Sequence, residues 1–159
     1  MDRWSHYRFR SVWELAADPD TVYGVLERPD RYPDWWPQVR EVARTDDSSG
    51  TLRFRSVLPY DLVVTARATV QDPGRRVLEV AMAGDLEGTV RWTVLPAAPE
   101  LPPGGTHLVF EQDVVVCKPL MRLFALPCRP LFIANHALMM RGGRTGLLAR
   151  LAADAGNVV

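Results

Sequence analysis

The chain has 159 residues, of which 47% are apolar and 24% are charged. That length and composition fit one globular domain and exclude a disordered polymer. The 19 basic and 19 acidic side chains cancel at neutral pH, so the overall charge does not draw the protein to nucleic acid or to an anionic membrane. We therefore expect a small or apolar partner.

Targeting and metal signals are weak in this sequence. The first residues lack the apolar core of a secretory signal, and no later apolar run is long enough to span a bilayer, so we expect a cytoplasmic protein without stable membrane insertion. Cys117 and Cys128 have no CxxC spacing, which disfavours a disulfide or a thiolate metal site. His6 and His107 show no ligand spacing either. We expect neither a metal nor a cofactor.

The first third of the chain predicts a strand, a helix and an aromatic turn. Residues 7–14 alternate inward and outward side chains, which is typical of a half-buried strand. Asp18 and Pro19 suit a helix start, and the apolar spacing after them predicts a helix of about three turns. Residues 29–37 hold too many prolines for a long helix, so we expect one short turn carrying three rings: Tyr32, Trp35 and Trp36.

From Val39 to about Val116 the alternation returns between turn signals and predicts six further strands. One face of these strands is mostly apolar. The other face is charged and includes Arg53, Arg55, Arg67, Glu79, Arg91, Glu111 and Asp113. This pattern predicts an antiparallel sheet that is covered on one side only.

The cover must come from the C-terminal segment. Pro119 and Pro130 suit first helical turns, which predicts a short helix over 119–126 and a long one over 130–153. We expect a charge-free arc of the long helix to face the sheet, namely Leu131, Ala134, Asn135, Leu138, Met139, Gly142, Thr145 and Ala149. The other arc mixes apolar residues with arginines, and we expect strand one or a second subunit, as in a homodimer, to touch it.

The order of strand, two helices, six strands and long helix, together with the segment YPDWWP at 32–37, resembles the polyketide cyclase/dehydrase branch of the START-like superfamily. Residues 58–61, 84–88 and 135–141 add local signals. The resemblance covers nearly the whole chain as one domain over 1–159. It implies an α+β helix-grip fold, in which a curved seven-stranded antiparallel sheet wraps a long C-terminal helix around a cavity for lipids, quinones, polyketides or plant hormones.

Three functions stay open at this stage. The first is binding or carriage of a small hydrophobic molecule. The second is polyketide cyclase or aromatase activity, which needs a pocket group that polarises a carbonyl or moves a proton. The strand arginines lie on the outward phase, so a catalytic arginine inside the pocket would go against the pattern. His136, a possible general base, projects onto the arginine-bearing arc, where a lone histidine is more often a packing or surface residue, and whether it points into the pocket stays open. The third is a protein-interaction module that uses the apolar helix face.

We predict that a ligand contacts the aromatic turn, the inward strand residues and the charge-free helix arc. The two tryptophans of the turn fit either a core plug or a pocket wall. Asp85 and Glu87 suit a hairpin turn better than a catalytic carboxylate pair, and the glycines of 142–146 suit close packing better than phosphate binding. The predicted ligand-binding residues are Trp35, Trp36, Phe54, Ser56, Tyr60, Trp92, Phe110, Gln112, Asn135, Leu138, Met139 and Gly142, with Asn135 expected to orient the ligand.

Overall fold

The computed structural model describes residues 3–56, 61–100, 103–124 and 126–157. Within them, seven antiparallel strands form one sheet in the order β1-β7-β6-β5-β4-β3-β2. The strands are β1 (His6–Leu15), β2 (Val39–Arg44), β3 (Ser49–Arg55), β4 (Asp61–Asp72), β5 (Val77–Gly84), β6 (Leu86–Pro96) and β7 (Thr106–Val116). The helices are α1 (Pro19–Leu26), α2 (Tyr32–Trp35), α3 (Pro119–Leu123) and α4 (Arg129–Gly156). This is the predicted α+β helix-grip architecture.

Helix α1 begins where the sequence predicts but ends early. Asp18 caps it by accepting a hydrogen bond from the Thr21 backbone nitrogen at 3.1 Å, and Pro19 occupies the first turn. The helix has eight residues, about two turns, so the predicted three turns were wrong. Pro29 accounts for the early end, because it forces Arg28 out of the helical region to φ −111° and ψ 75°.

The sheet is covered on one side, as predicted. The strand arginines face outward, where Arg91 lies opposite Glu79 on one neighbouring strand and Glu111 on the other. Arg91 and Glu79 form an ion pair of 2.7 Å. Inward residues of the same strands, such as Trp92 and Phe110, are buried. The alternation phase was therefore read correctly along every central strand.

The face of α4 that meets the sheet differs from the predicted one. Leu131 and Leu138 are 46% and 50% exposed, and Ala134, Thr145 and Ala149 are exposed with them. Asn135, Met139 and Gly142 lie at the border of the buried face. The residues that α4 buries are Phe132, Met140, Gly143, Leu147 and Leu151.

Two arginines at the ends of α4 explain the error. Arg129 and Arg150 share the arc of the buried residues, so a search for a charge-free arc rejects it. Arg129 is half-buried and has partners for its charge. Its guanidinium group donates a hydrogen bond to the Trp4 carbonyl oxygen at 3.1 Å and lies 4.5 Å from the centre of the Tyr7 ring. Arg150 pairs with Asp154 at 3.1 Å. Strand β1 contacts this arc, which confirms the first of its two expected partners, strand one or a second subunit.

The aromatic turn is anchored on glycines of α4. Trp36 Nε1 donates to the Met139 carbonyl at 3.0 Å. A Cβ on Gly143 would lie 2.6 Å from the Trp36 ring, and one on Gly146 would lie 1.6 Å from the Trp35 carbonyl oxygen. These glycines therefore let the turn lie directly on the helix backbone, in agreement with the close-packing interpretation.

Replacing Gly146 by alanine should lower the free energy of unfolding by about 1–3 kcal/mol, because the new methyl group overlaps the Trp35 carbonyl. Gly24→Ala in α1 is the matched control, since a Cβ there meets nothing within 4 Å. It should stabilise by about 0.5–1 kcal/mol through helix propensity. Urea unfolding of both variants measures the difference, and equal effects would contradict the packing described.

Candidate functional site

A cavity of about 570 Å³ lies between the inner face of the sheet and the N-terminal half of α4. Its wall is mainly apolar and is drawn from all seven strands and from α1 to α4. The inward strand residues that line it include Phe9, Leu52, Phe54, Val64, Ala66, Ala68, Val80, Met82, Val90, Trp92, Phe110 and Val114. A volume of this size holds a drug-sized organic molecule.

The cavity opens between the end of α1 and the turn that joins β2 to β3. Residues 27–31 and 46–50 line it at this side, and most of them are exposed and polar or charged. Apart from Arg44 and Gln71, the wall away from this rim consists of buried and half-buried residues. An apolar ligand would thus enter past a polar rim.

His136 of α4 lies in the cavity wall beside Gln112 of β7. Its Nε2 is 3.0 Å from Gln112 Oε1. The imidazole stacks on the Phe9 ring, with ring centres 3.6 Å apart and planes 6° from parallel, and the Phe110 ring centre is 6.0 Å away. A titratable ring is therefore held between aromatic walls.

Burial lowers the pKa of His136 to about 4, so the imidazole is neutral at pH 7. The neutral ring donates its Nε2 hydrogen to the Gln112 amide oxygen and keeps its lone pair on Nδ1. The site combines a hydrogen-bonding amide with a neutral base in apolar surroundings. Such a pair can orient a ligand oxygen or accept a proton.

Two tyrosines of the wall differ in their hydrogen bonding. Tyr32 donates its hydroxyl hydrogen to the Leu26 carbonyl at 2.7 Å, and burial raises its pKa. The Tyr7 hydroxyl oxygen is buried and makes no hydrogen bond within the described residues. Burial raises the pKa of Tyr7 as well, with the Arg129 charge opposing that shift. Tyr7 thus lines the cavity, while its hydroxyl oxygen is enclosed in the protein close to Arg129.

Asn135 also lines the cavity and accepts a hydrogen bond from Ser56 Oγ at 3.4 Å. Ser56 is buried but lies behind the wall. The predicted ligand-binding residues that the structure places on the wall are Trp36, Phe54, Trp92, Phe110, Gln112, Asn135 and Met139. Their contact with a ligand stays a prediction.

Three other predicted residues do not line the cavity. Trp35 is a core plug, stacked on Trp36 with ring centres 5.6 Å apart. Leu138 lies on the outer side of α4, and a Cβ on Gly142 would meet the Gln38 side chain at 2.3 Å. Both misplacements follow from the wrong helix face. Tyr60 lies outside the described residues, as does the rest of the 58–60 corner.

His136 was left out of the predicted site for the same reason, with its orientation left open, and the structure places it on the cavity wall. A signal for it exists in the sequence. His136 follows Phe132 by four residues and precedes Met140 by four, and both of these are buried. Residues at this spacing share a helix face, so an apolar neighbour one turn away on each side indicates an inward histidine.

Asp85, His6 and His107 make hydrogen bonds and ion pairs that stabilise the fold. The Asp85 carboxylate accepts a hydrogen bond from the Val63 backbone nitrogen at 2.8 Å and lies 3.5 Å from Lys118 Nζ, which fits its interpretation as a turn residue. His6 pairs with Asp113, and His107 pairs with Glu14. In the described ranges, no three His, Cys, Asp or Glu side chains are grouped to hold a metal, and no helix is long and apolar enough to cross a membrane.

A family model described as polyketide cyclase / dehydrase and lipid transport matches residues 15–134. The chain belongs to this family. No curated protein matches it.

Several solved structures share the fold. An aromatase/cyclase, ZhuI from Streptomyces sp. R1128, is 18% identical with a TM-score of 0.74, over 91% of this chain and 93% of that one. A START superfamily protein from Mycobacterium smegmatis is 19% identical with a TM-score of 0.62, over 89% and 98%. The di-domain aromatase/cyclase BexL of the BE-7585A biosynthetic pathway is 15% identical with a TM-score of 0.68, over 93% of this chain and 50% of that one. At these identities the likeness shows the fold alone.

The pKa of His136 predicts an acid-sensitive fold. An unfolded chain protonates this ring near pH 6.5, whereas the folded protein does so only near pH 4. The unfolded state therefore binds more protons between these values, and the free energy of unfolding should fall by about 3 kcal/mol as the pH drops from 6.5 to 4. Urea unfolding across this range measures the loss. His136→Phe should remove most of this slope and His107→Gln should retain it; the reverse would place the buried histidine elsewhere.

Proposed function

We propose that the protein binds and carries a small hydrophobic molecule in the cavity between the sheet and α4. The observation that carries this proposal is the cavity itself, about 570 Å³ of mostly apolar space with a rim open to solvent. Apolar side chains around an unfilled volume give up packing contacts, so a retained cavity costs stability. A ligand that fills it recovers those contacts. Membership of a family described in part by lipid transport supports the same function.

The wall favours a ligand with a flat or ringed apolar body and one polar group. The rings of Phe9, Trp92 and Phe110 offer faces and edges for stacking. Gln112 and His136 lie among these rings and can hydrogen-bond a ketone, quinone or hydroxyl oxygen. Asn135 offers a further amide. A fully saturated chain would leave these polar groups unpaired, which costs affinity.

Native mass spectrometry of protein purified from its own host tests carriage directly. The expected result is a fraction of the protein with one added small-molecule mass that organic extraction releases. Extraction and chromatography then identify the compound. Protein that shows no bound compound and takes up no quinone, fatty acid or aromatic polyketide when these are added would refute the proposal.

Filling the cavity should abolish binding without unfolding the protein. Ala66 of β4 lines the cavity, so Ala66→Phe places a ring in the ligand volume and should weaken binding of the apolar dye Nile red at least about tenfold. Ala83→Phe adds the same ring on the exposed outer face of β5 and should leave the affinity unchanged. Fluorescence titration measures both. Equal affinity in the two variants would move the binding site away from this cavity.

Cyclase or aromatase activity is the second candidate, and the position of His136 favours it. A neutral imidazole can take a proton from a carbon that lies between two carbonyl groups, which leaves an enolate that attacks another carbonyl of the same chain. The imidazolium returns this proton to the new alkoxide, which becomes a hydroxyl group. The imidazole then takes the second proton from the same carbon and delivers it to the departing hydroxyl group, so that a carbon–carbon double bond forms and water leaves. Gln112 would hold the ring in one tautomer during this exchange. The fold neighbour from Streptomyces is named as an aromatase/cyclase.

His136→Phe separates chemistry from carriage, because phenylalanine keeps the stack on Phe9 and removes the base. If the protein is a cyclase, the parent should convert a linear poly-β-ketone thioester to an aromatic product, which absorbance detects. The variant should lose at least about a hundredfold in turnover, the usual contribution of a general base, and keep its affinity for the dye within about threefold. A parent that binds the thioester and does not convert it would reject this candidate and leave carriage in place.

A further inference from the structure

The C-terminal helical region carries a charge that the neutral total conceals. Residues 117–157 contain six basic side chains and one acidic side chain, Asp154, so their net charge is +5, whereas the rest of the chain is −5. The seven strands carry eight basic and eight acidic side chains, so the acidic excess lies outside them, in the N-terminal helical segment and the turns. The C-terminal helical region is therefore basic although the whole protein is neutral.

The same region concentrates exposed apolar side chains. Among the described residues, thirteen large apolar side chains are exposed, and eight of them lie between residues 120 and 148. We call these eight the outer helical face: Leu120, Leu123, Phe124, Leu126, Leu131, Ile133, Leu138 and Leu148. Leu123 is 73% exposed. Eight such side chains within 29 residues differ from the scattered single residues of an ordinary surface, and they indicate a binding surface.

Two arginines lie within the outer helical face. Arg141 and Arg144 are exposed and follow Leu138 by three and six residues, and neither has a hydrogen-bond or ion-pair partner in the described part of the chain. Other cations of the region are engaged, since Lys118 contacts Asp85 and Arg150 pairs with Asp154. The face thus offers leucine side chains and unpaired guanidinium groups together, with no carboxylate on the same side of the helix.

We propose that the outer helical face binds the surface of an anionic lipid bilayer. Leucine and phenylalanine side chains can enter the boundary between headgroups and acyl chains, while Arg141 and Arg144 contact lipid phosphates. A symmetric dimer through this face would set basic residues against the same basic residues of the second copy, which is unfavourable. The outer helical face spans α3, the segment after it and the exposed side of α4, and a fluid bilayer can adapt to such a surface.

Vesicle sedimentation with the full chain tests the proposal without any cavity ligand. The vesicles are phosphatidylcholine alone, or phosphatidylcholine with phosphatidylglycerol at 3:1. The parent protein should partition onto the anionic vesicles, remain in solution with the zwitterionic ones, and lose binding in 0.5 M salt. Each arginine near an anionic surface strengthens binding about fivefold, so Arg141→Gln combined with Arg144→Gln should weaken it about 25-fold.

Two variants make this result specific. Arg53→Gln combined with Arg67→Gln removes the same charge from the outer face of the sheet and should leave partition within about twofold. Leu123→Ser keeps the charge and removes an exposed apolar side chain, so it should weaken partition at least about fivefold.

Four outcomes would overturn the proposal. They are an absence of partition onto either vesicle, equal partition onto both, equal losses in the two arginine pairs, or a parent dimer that Leu138→Ser dissociates. The last outcome would assign the face to a second copy of the chain.

Discussion

The seating of the aromatic turn on the glycines of α4 determines the shape of the whole molecule. Gly143 and Gly146 let Trp35 and Trp36 approach the helix backbone, so the C-terminal half of α4 packs tightly beside the buried ring of Trp92. The N-terminal half of the same rigid helix passes over the wider part of the sheet and leaves the cavity beneath it. Close contact at the C-terminal end of α4 thus fixes the cavity under its N-terminal end. The cavity volume therefore depends on Gly143 and Gly146, which do not line the cavity.

The sheet could be predicted from the sequence because each strand carries two independent signals, an apolar phase and a charged phase, which agree. Arg53, Arg67 and Arg91 mark the outer face so clearly that a register error is excluded. Helix α4 has no such agreement, since it is apolar on both sides and two arginines at its ends share the buried arc. Which side faces inward is decided by the contact with β1 and the aromatic turn, and sequence periodicity alone does not contain that information. For this one reason Leu138 was misplaced and His136 was left out of the predicted site.

A helix with two apolar sides is costly unless both sides have a use. The inner side of α4 supplies Phe132 and His136 to the cavity, and the outer side carries leucines among unpaired arginines. The two sides differ in chemistry: the inner one has burial, aromatic rings and neutral hydrogen-bonding groups, and the outer one has exposure and positive charge. Net charge is a poor guide to partners in such a protein, because the acidic turns and N-terminal helical segment cancel the basic C-terminal helical region in the total.

The place of β1 in the sheet has a consequence for how the chain folds. This first strand pairs only with the last one, β7, through contacts such as His6 with Asp113, which are 107 residues apart. Pairings of such long range close slowly, because the loop entropy is lost before the contact forms. During synthesis, β1 stays unpaired while roughly 90 further residues are added, which takes on the order of 5–20 s. The side chains of Tyr7 and Trp13 remain unburied during this time. The N-terminal strand is thus the segment of the nascent chain that most needs protection from aggregation.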